Sequence, residues 1–142
     1  MATQPLTKEV LLEAPVQKVW KALTDVDEMR EWYMDIANFD LKVGHEFDFW
    51  GRKGDCQKYH HLCKILEIVP EKKLAYTWAY ENSPGSTVLT FELQEEGDKT
   101  RLKLTHEGIE SFAGLGKDFT KESFTGGWSF FMDDALKNYL KA

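Results

Sequence analysis

The chain of 142 residues predicts an α+β fold in which a bent antiparallel sheet of six or seven strands packs on a long C-terminal helix. Three observations carry this. From Asn38 to His106 apolar and polar residues alternate with period two and are interrupted by turn residues. From about Phe119 the apolar period becomes helical. Between the first alternating run and the others lie two short stretches of helical spacing.

In chain order, Leu6 to Glu13 reads as an amphipathic strand that Pro15 ends. Proline at a first helical position, followed by Val16, Val19, Trp20 and Leu23, predicts a two-turn helix burying one stripe, Trp20 included as a structural residue. Asp25 to Glu28 has capping-box spacing and opens a second short helix carrying Met29, Trp32 and Tyr33. A segment at Phe39 to Leu41 could add a seventh strand. After Gly44 come Phe47, Phe49 and Trp50, then a turn over Gly51 to Asp55. Tyr59 to Val69 is the next strand and Pro70 to Lys73 a turn. Leu74, Tyr76, Trp78 and Tyr80 then alternate with Ala75, Thr77 and Ala79, which makes one face aromatic or aliphatic throughout. Asn82 to Gly85 turns, Val88 to Gln94 follows, Glu95 to Asp98 turns, and Arg101 to His106 puts Leu102, Leu104 and His106 on one side. Gly108 to Asp118 reads as a flexible connection. Phe124, Trp128, Phe131, Ala135 and Tyr139 mark the long helix, with Asp133 and Lys137 as an i, i+4 pair on its wet side.

Composition narrows the function classes. A hydrophobic fraction of 42% with 30% charged residues is globular, and the length suits one domain, residues 1–142, around one core. Eighteen basic against 24 acidic residues gives a net charge of −6 with no basic stripe, so nucleic acid and anionic membrane surfaces are not expected partners. Apolar runs are short, so no membrane insertion is expected and the protein is expected to be soluble and unexported. Two cysteines fit a reducing cytoplasm.

Five segments together resemble a known family. They are the run from Ala14 to Asp25 with Trp32 soon after; Ile65 to Pro70 leading to Leu74-Ala75-Tyr76-Thr77-Trp78; Gly97 to His106; Gly127-Trp128; and Leu136-Lys137-Asn138-Tyr139-Leu140. In this order they resemble the family related to the C-terminal domain of the activator of heat-shock-protein-ninety ATPase, within the SRPBCC (START-like) superfamily. The resemblance implies a helix-grip fold, often with a cavity between sheet and helix, and it raises the prospect of a chaperone as partner. The separate N-terminal domain of the eukaryotic activator has no counterpart in this length.

The candidate sites follow. Cys56, His60, His61 and Cys63 are groups that zinc accepts, yet adjacent His60 and His61 on a strand face opposite ways, so surface histidines and core thiols are expected and no metal. His106 is expected to be half-buried, its ring nitrogens satisfied by backbone or water; the alternative makes it a polar group at a cavity rim. No serine lies in a nucleophile-elbow pattern and no phosphate-binding glycine motif occurs, so no catalytic residues and no cofactor are expected. The aromatic set exceeds what a meander needs, and Tyr76, Trp78 and Tyr80 suit a partly polar pocket wall. The expected lining is Trp32, Phe49, Tyr76, Trp78, Tyr80, His106, Phe112, Gly127, Trp128 and Phe131. Gly126 and Gly127, costly inside a helix, are expected to let the sheet or a ligand approach. The function expected is non-enzymatic binding of a small apolar or amphipathic molecule. A chaperone-cofactor-like interaction module is the alternative, and a cyclase- or hydrolase-like enzyme using the same cavity the second.

Overall fold

A computed structural model describes residues 6–32, 39–50, 60–80, 85–109 and 121–141. Its elements are β1 (Leu6–Leu12), α1 (Val16–Thr24), α2 (Val26–Trp32), β2 (Glu46–Trp50), β3 (His60–Val69), β4 (Lys73–Tyr80), β5 (Ser86–Glu96) and β6 (Lys99–Glu107). The C-terminal helix follows as α3 (Lys121–Ser129), a π-helical segment (Phe130–Leu136) and α4 (Lys137–Lys141). Every strand pairing is antiparallel, in the order β1-β6-β5-β4-β3-β2. This is the helix grip: a six-stranded sheet with a C-terminal helix against its inner face. Residues 39–41 lie outside any strand, so the described sheet has six strands rather than seven.

Local chemistry explains the joints. Pro15 stands one position ahead of the helix, as its extended N-cap (φ −67°, ψ 158°), because a ring without N–H is tolerated there. Asp25 caps α2 by accepting from the backbone N–H of Asp27 at 2.9 Å and Glu28 at 3.3 Å. The Glu28 carboxylate, which in a full capping box would reach back to Asp25, instead accepts from the Tyr139 hydroxyl at 2.9 Å and so ties α2 to α4. Lys18 Nζ donates to the Leu140 carbonyl at 3.1 Å, a cation at a helix C-terminus. Thr100 Oγ1 donates to the Ala14 carbonyl at 2.8 Å and clamps the corner between β1 and α1. The β5–β6 hairpin turns on two residues, with Gly97 at φ 67°, the positive φ that turns matching strand twist require.

The sheet bends where β3 carries an extra residue. Ile65 pairs with Tyr76 and Glu67 with Ala75, so Leu66 bulges out and is 44% exposed. Inward, strict alternation buries Leu74, Tyr76, Trp78 and Tyr80 on β4, Leu89, Phe91 and Leu93 on β5, and Leu102, Leu104 and His106 on β6. Four of the fully covered side chains, Leu12, Leu89, Leu102 and Leu104, each contribute about 1.5–3 kcal/mol by leaving water.

Three expectations change. Trp20 is only partly buried; the covered stripe of α1 is Val16, Val19, Ala22 and Leu23, because Trp20 lies one step round from Val19 at the stripe's edge. Asp133 reaches Lys8 of β1 at 2.7 Å, since the π-helical segment changes the residue spacing that the i, i+4 pairing with Lys137 assumed. Gly126 is exposed, and a Cβ there would meet nothing within 4 Å, so close approach of the sheet does not explain this glycine. Among the described residues no helix is long and apolar enough to cross a membrane.

Candidate functional site

The inner face of the sheet has two chemically different ends. At the end where β3 and β5 begin and β4 and β6 finish, registry brings His61 opposite Tyr80, Trp78 opposite Thr87, and His106 opposite Leu89. Phe124 and Trp128 of α3 pack onto this patch. Ring centroids of Trp78 and Trp128 lie 5.4 Å apart, His106 and Phe124 5.0 Å, and His61 lies 4.9 Å from both Trp78 and Tyr80. Most of these contacts are edge-to-face, the arrangement that ring quadrupoles favour.

His106 is completely buried rather than half-buried, because its strand is flanked on both sides and α3 covers its face. Its ring nitrogens are both occupied by side chains rather than by backbone or water. Trp128 Nε1 lies 3.2 Å from Nδ1, and Thr87 Oγ1 lies 2.7 Å from Nε2. An indole N–H can only donate, so Nδ1 accepts and the proton sits on Nε2, which donates to Thr87. The Thr87 hydroxyl then donates to the Trp78 carbonyl at 2.8 Å, completing a chain in which each group has one role. Burial holds the imidazole neutral, bringing its pKa down from the ordinary 6.5 to about 3. Beside it, Trp78 Nε1 donates to the Tyr80 hydroxyl at 2.8 Å.

The pair His60 and His61 does face opposite ways. His60 is half-buried and bonds Asp48 Oδ2 at 2.5 Å through Nε2, whereas His61 is buried and not on the surface. The alternation His61, Cys63, Ile65 accounts for it: all three face inward. Burial, with Asp48 adding, pushes the Cys63 thiol far up, so it stays protonated and behaves as a small apolar side chain. Among the described residues no three His, Cys, Asp or Glu side chains converge as a metal site, and Cys56 lies outside those residues.

The structure therefore brings Trp78, Tyr80, His106 and Trp128 into one cluster. Tyr76 sits one layer in, between Phe47 and Phe91, and Phe131 of the π-helical segment touches both Trp128 and Trp32. Trp32 is set apart: its Nε1 donates to the Ala22 carbonyl at 2.8 Å and locks α2 onto α1. The backbone of Phe49 lies opposite His61, while its side chain, the surroundings of Gly127 and all of Phe112 lie outside the described residues. His61, Thr87 and Phe124 belong to the cluster and were not on the expected lining. Alternation outward from Cys63 and from Leu89 was the signal for the first two, and the helical stripe for the third. One depression of about 370 Å³ among the described residues lies on the outer face, lined by Glu9, Glu92, Arg101 and Lys103, whose charges pair across strands.

Activator of Hsp90 ATPase homolog 1-like proteins match residues 13–141, nearly the whole chain. The chain belongs to that family. No curated protein matches the sequence significantly. Among solved structures, DynU16, a protein of the dynemicin biosynthetic locus, superposes with a TM-score of 0.80 at 18% identity over 99% of this chain. The chain spans about half, 48%, of that protein. Protein BH1534 of Bacillus halodurans superposes with a TM-score of 0.76 at 25% identity, covering 99% of each chain. The Aha1 dimer of Colwellia psychrerythraea gives 0.75 at 21% identity over 97% of this chain and 96% of that one. Membership in this Activator of Hsp90 ATPase homolog 1-like family accounts for the helix-grip architecture and places the chain in the SRPBCC superfamily.

Proposed function

We propose that this family member, a single START-like domain of the cytoplasm, binds a small apolar or amphipathic molecule between the C-terminal helix and the sheet, without catalysing a reaction on it. One observation carries the reading. At one end of the core, aromatic rings in mostly edge-to-face contact hold six polar groups among them: the His61 and His106 imidazoles, the Tyr80 and Thr87 hydroxyls and the indole N–H groups of Trp78 and Trp128. A core needs only shape, while a binding wall needs apolar surface with a few placed polar groups. The π-helical segment beginning two residues after Trp128 supports the same reading, since such segments recur at functional sites. Trp78, Tyr80, His106 and Trp128 form the wall, flanked by Tyr76, Phe131 and Trp32, with Phe49, Phe112 and Gly127 completing the proposed lining.

Native mass spectrometry of freshly purified protein, followed by thermal-shift screening with an apolar library, tests the proposal. Expected are a retained molecule weighed as added mass and a raised melting temperature with some library members. A bare mass together with no thermal shift overturns it.

A second reading, an interaction module acting on a chaperone, draws on the family membership and on Val43, Leu62 and Leu66, apolar side chains exposed on β3 and on the turn before β2. Its check is the ATPase rate of a chaperone of the heat-shock-protein-ninety class with and without added protein. A raised rate supports this reading and an unchanged one removes it.

A further inference from the structure

We propose that the cluster selects neutral aromatic hydroxyl compounds, whose hydroxyl inserts between Trp128 and His106, accepting from the indole N–H and donating to imidazole Nδ1. This rests on the ligand-binding reading above and names the ligand class.

The hydrogen-bond inventory leads to it. The Trp128 to His106 bond is the one link of the chain that joins the helix to the sheet; the bonds from His106 to Thr87 and from Thr87 to Trp78 lie within the sheet. A molecule entering between helix and sheet at this patch parts Trp128 from His106. Parting them leaves a buried donor and a buried acceptor, each costly when unpaired. An aromatic ether repairs only the donor, because it has no proton to offer Nδ1. A hydroxyl repairs both with a single atom.

Charge narrows the class further. A carboxylate could accept from Trp128 but would face the Nδ1 lone pair, and the imidazole between Trp128 and Thr87 is held neutral, so it provides no counter-charge. Lys8, the cation on the inward side of β1, is held by Asp133 at 2.7 Å. Shape completes the argument: Trp128 meets Trp78 at 63° and Phe91 at 87°, so a flat ring entering there finds edge and face partners already set.

Isothermal titration calorimetry with three matched probes, 2-naphthol, 2-methoxynaphthalene and 2-naphthoate, tests this on the intact protein. The naphthol is expected to bind about ten-fold tighter than its ether, the loss anticipated for one buried acceptor left unpaired, and the carboxylate weakest. Saturation with naphthol should move the Trp128 indole N–H resonance. Trp128→Phe should keep the preference for hydroxyl over ether, because Nδ1 then has no other donor. Ether binding as tightly as naphthol, or naphthol binding with the Trp128 resonance unmoved, overturns the hydroxyl assignment and leaves ligand binding standing. If none of the three binds, the hydroxyl assignment falls; a bare native mass together with no thermal shift across the apolar library would show that the binding reading falls with it.

Discussion

The two ends of the grip are equally buried but depend on different physics. Where β5 meets β6 at Gly97, the inner face is aliphatic: Leu12, Leu74, Leu93 and Leu102 from the sheet share the core with Val16 and Val19 of α1 and with Leu136 and Leu140. Dispersion and exclusion of water hold that end, and any side chain of the right volume serves it. At the other end, His61, Trp78, Tyr80 and His106 carry polar atoms that burial makes obligatory to satisfy. The aliphatic end is sensitive to lost volume, and the aromatic end to lost partners. A fold can place binding chemistry in its core when the remaining core provides the stability.

That contrast orders the tests. At the aliphatic end, Leu102→Ala should lower unfolding free energy by about 3 to 5 kcal/mol, measured by urea denaturation, and should leave ligand preference unchanged. A loss below about 1 kcal/mol would show that this end is loosely packed.

At the aromatic end the leading effect is a pH dependence. His106 is neutral when folded, its pKa lowered to about 3, while in the unfolded chain it titrates near 6.5. The unfolded state binds the extra proton, so this group's stabilising contribution is complete above pH 6.5 and is lost as pH falls toward 3. The slope approaches about 1.4 kcal/mol per pH unit. Urea midpoints between pH 7 and pH 4 should fall accordingly, and less steeply in His106→Gln. Equal slopes would remove His106 from the account. In the same network, Thr87→Val leaves the His106 Nε2 proton without an acceptor and should cost about 1 to 3 kcal/mol despite nearly equal volume. No change in the urea midpoint would show that the chain of bonds carries no energy.

The smallest effect concerns Gly126, exposed within α3 with nothing near its missing Cβ. Gly126→Ala should raise stability by up to about 1 kcal/mol, with a matching rise in melting temperature. A loss of stability would mean that this backbone position needs a glycine after all.

The strand alternation made most of this legible. Leu74 to Tyr80 read as a buried face and is one, and the order of strands and helices followed from turn chemistry and periodicity. The aliphatic end was easier to read because apolar patterning is all it contains. The aromatic end was harder because histidine and threonine carry no fixed preference for inside or outside. His61 looked like a surface residue until Cys63 and Ile65 fixed its face, and Thr87 fell outside a strand taken to begin at Val88. Two features lay beyond local reading: the π-helical segment, whose spacing departs from 3.6 residues per turn, and the partly buried Trp20, which depends on how α1 rolls against the sheet.

The central claim is that ligand chemistry resides at the aromatic end, and the tryptophan indole N–H resonances report on it most directly. Trp78 and Trp128 lie in the cluster, Trp32 is bound to Ala22, and Trp20 sits on α1 at the aliphatic end. Titration with 2-naphthol should shift the Trp78 and Trp128 signals saturably while that of Trp20 stays in place. Shifts confined to Trp20, or none that saturate, would contradict the account.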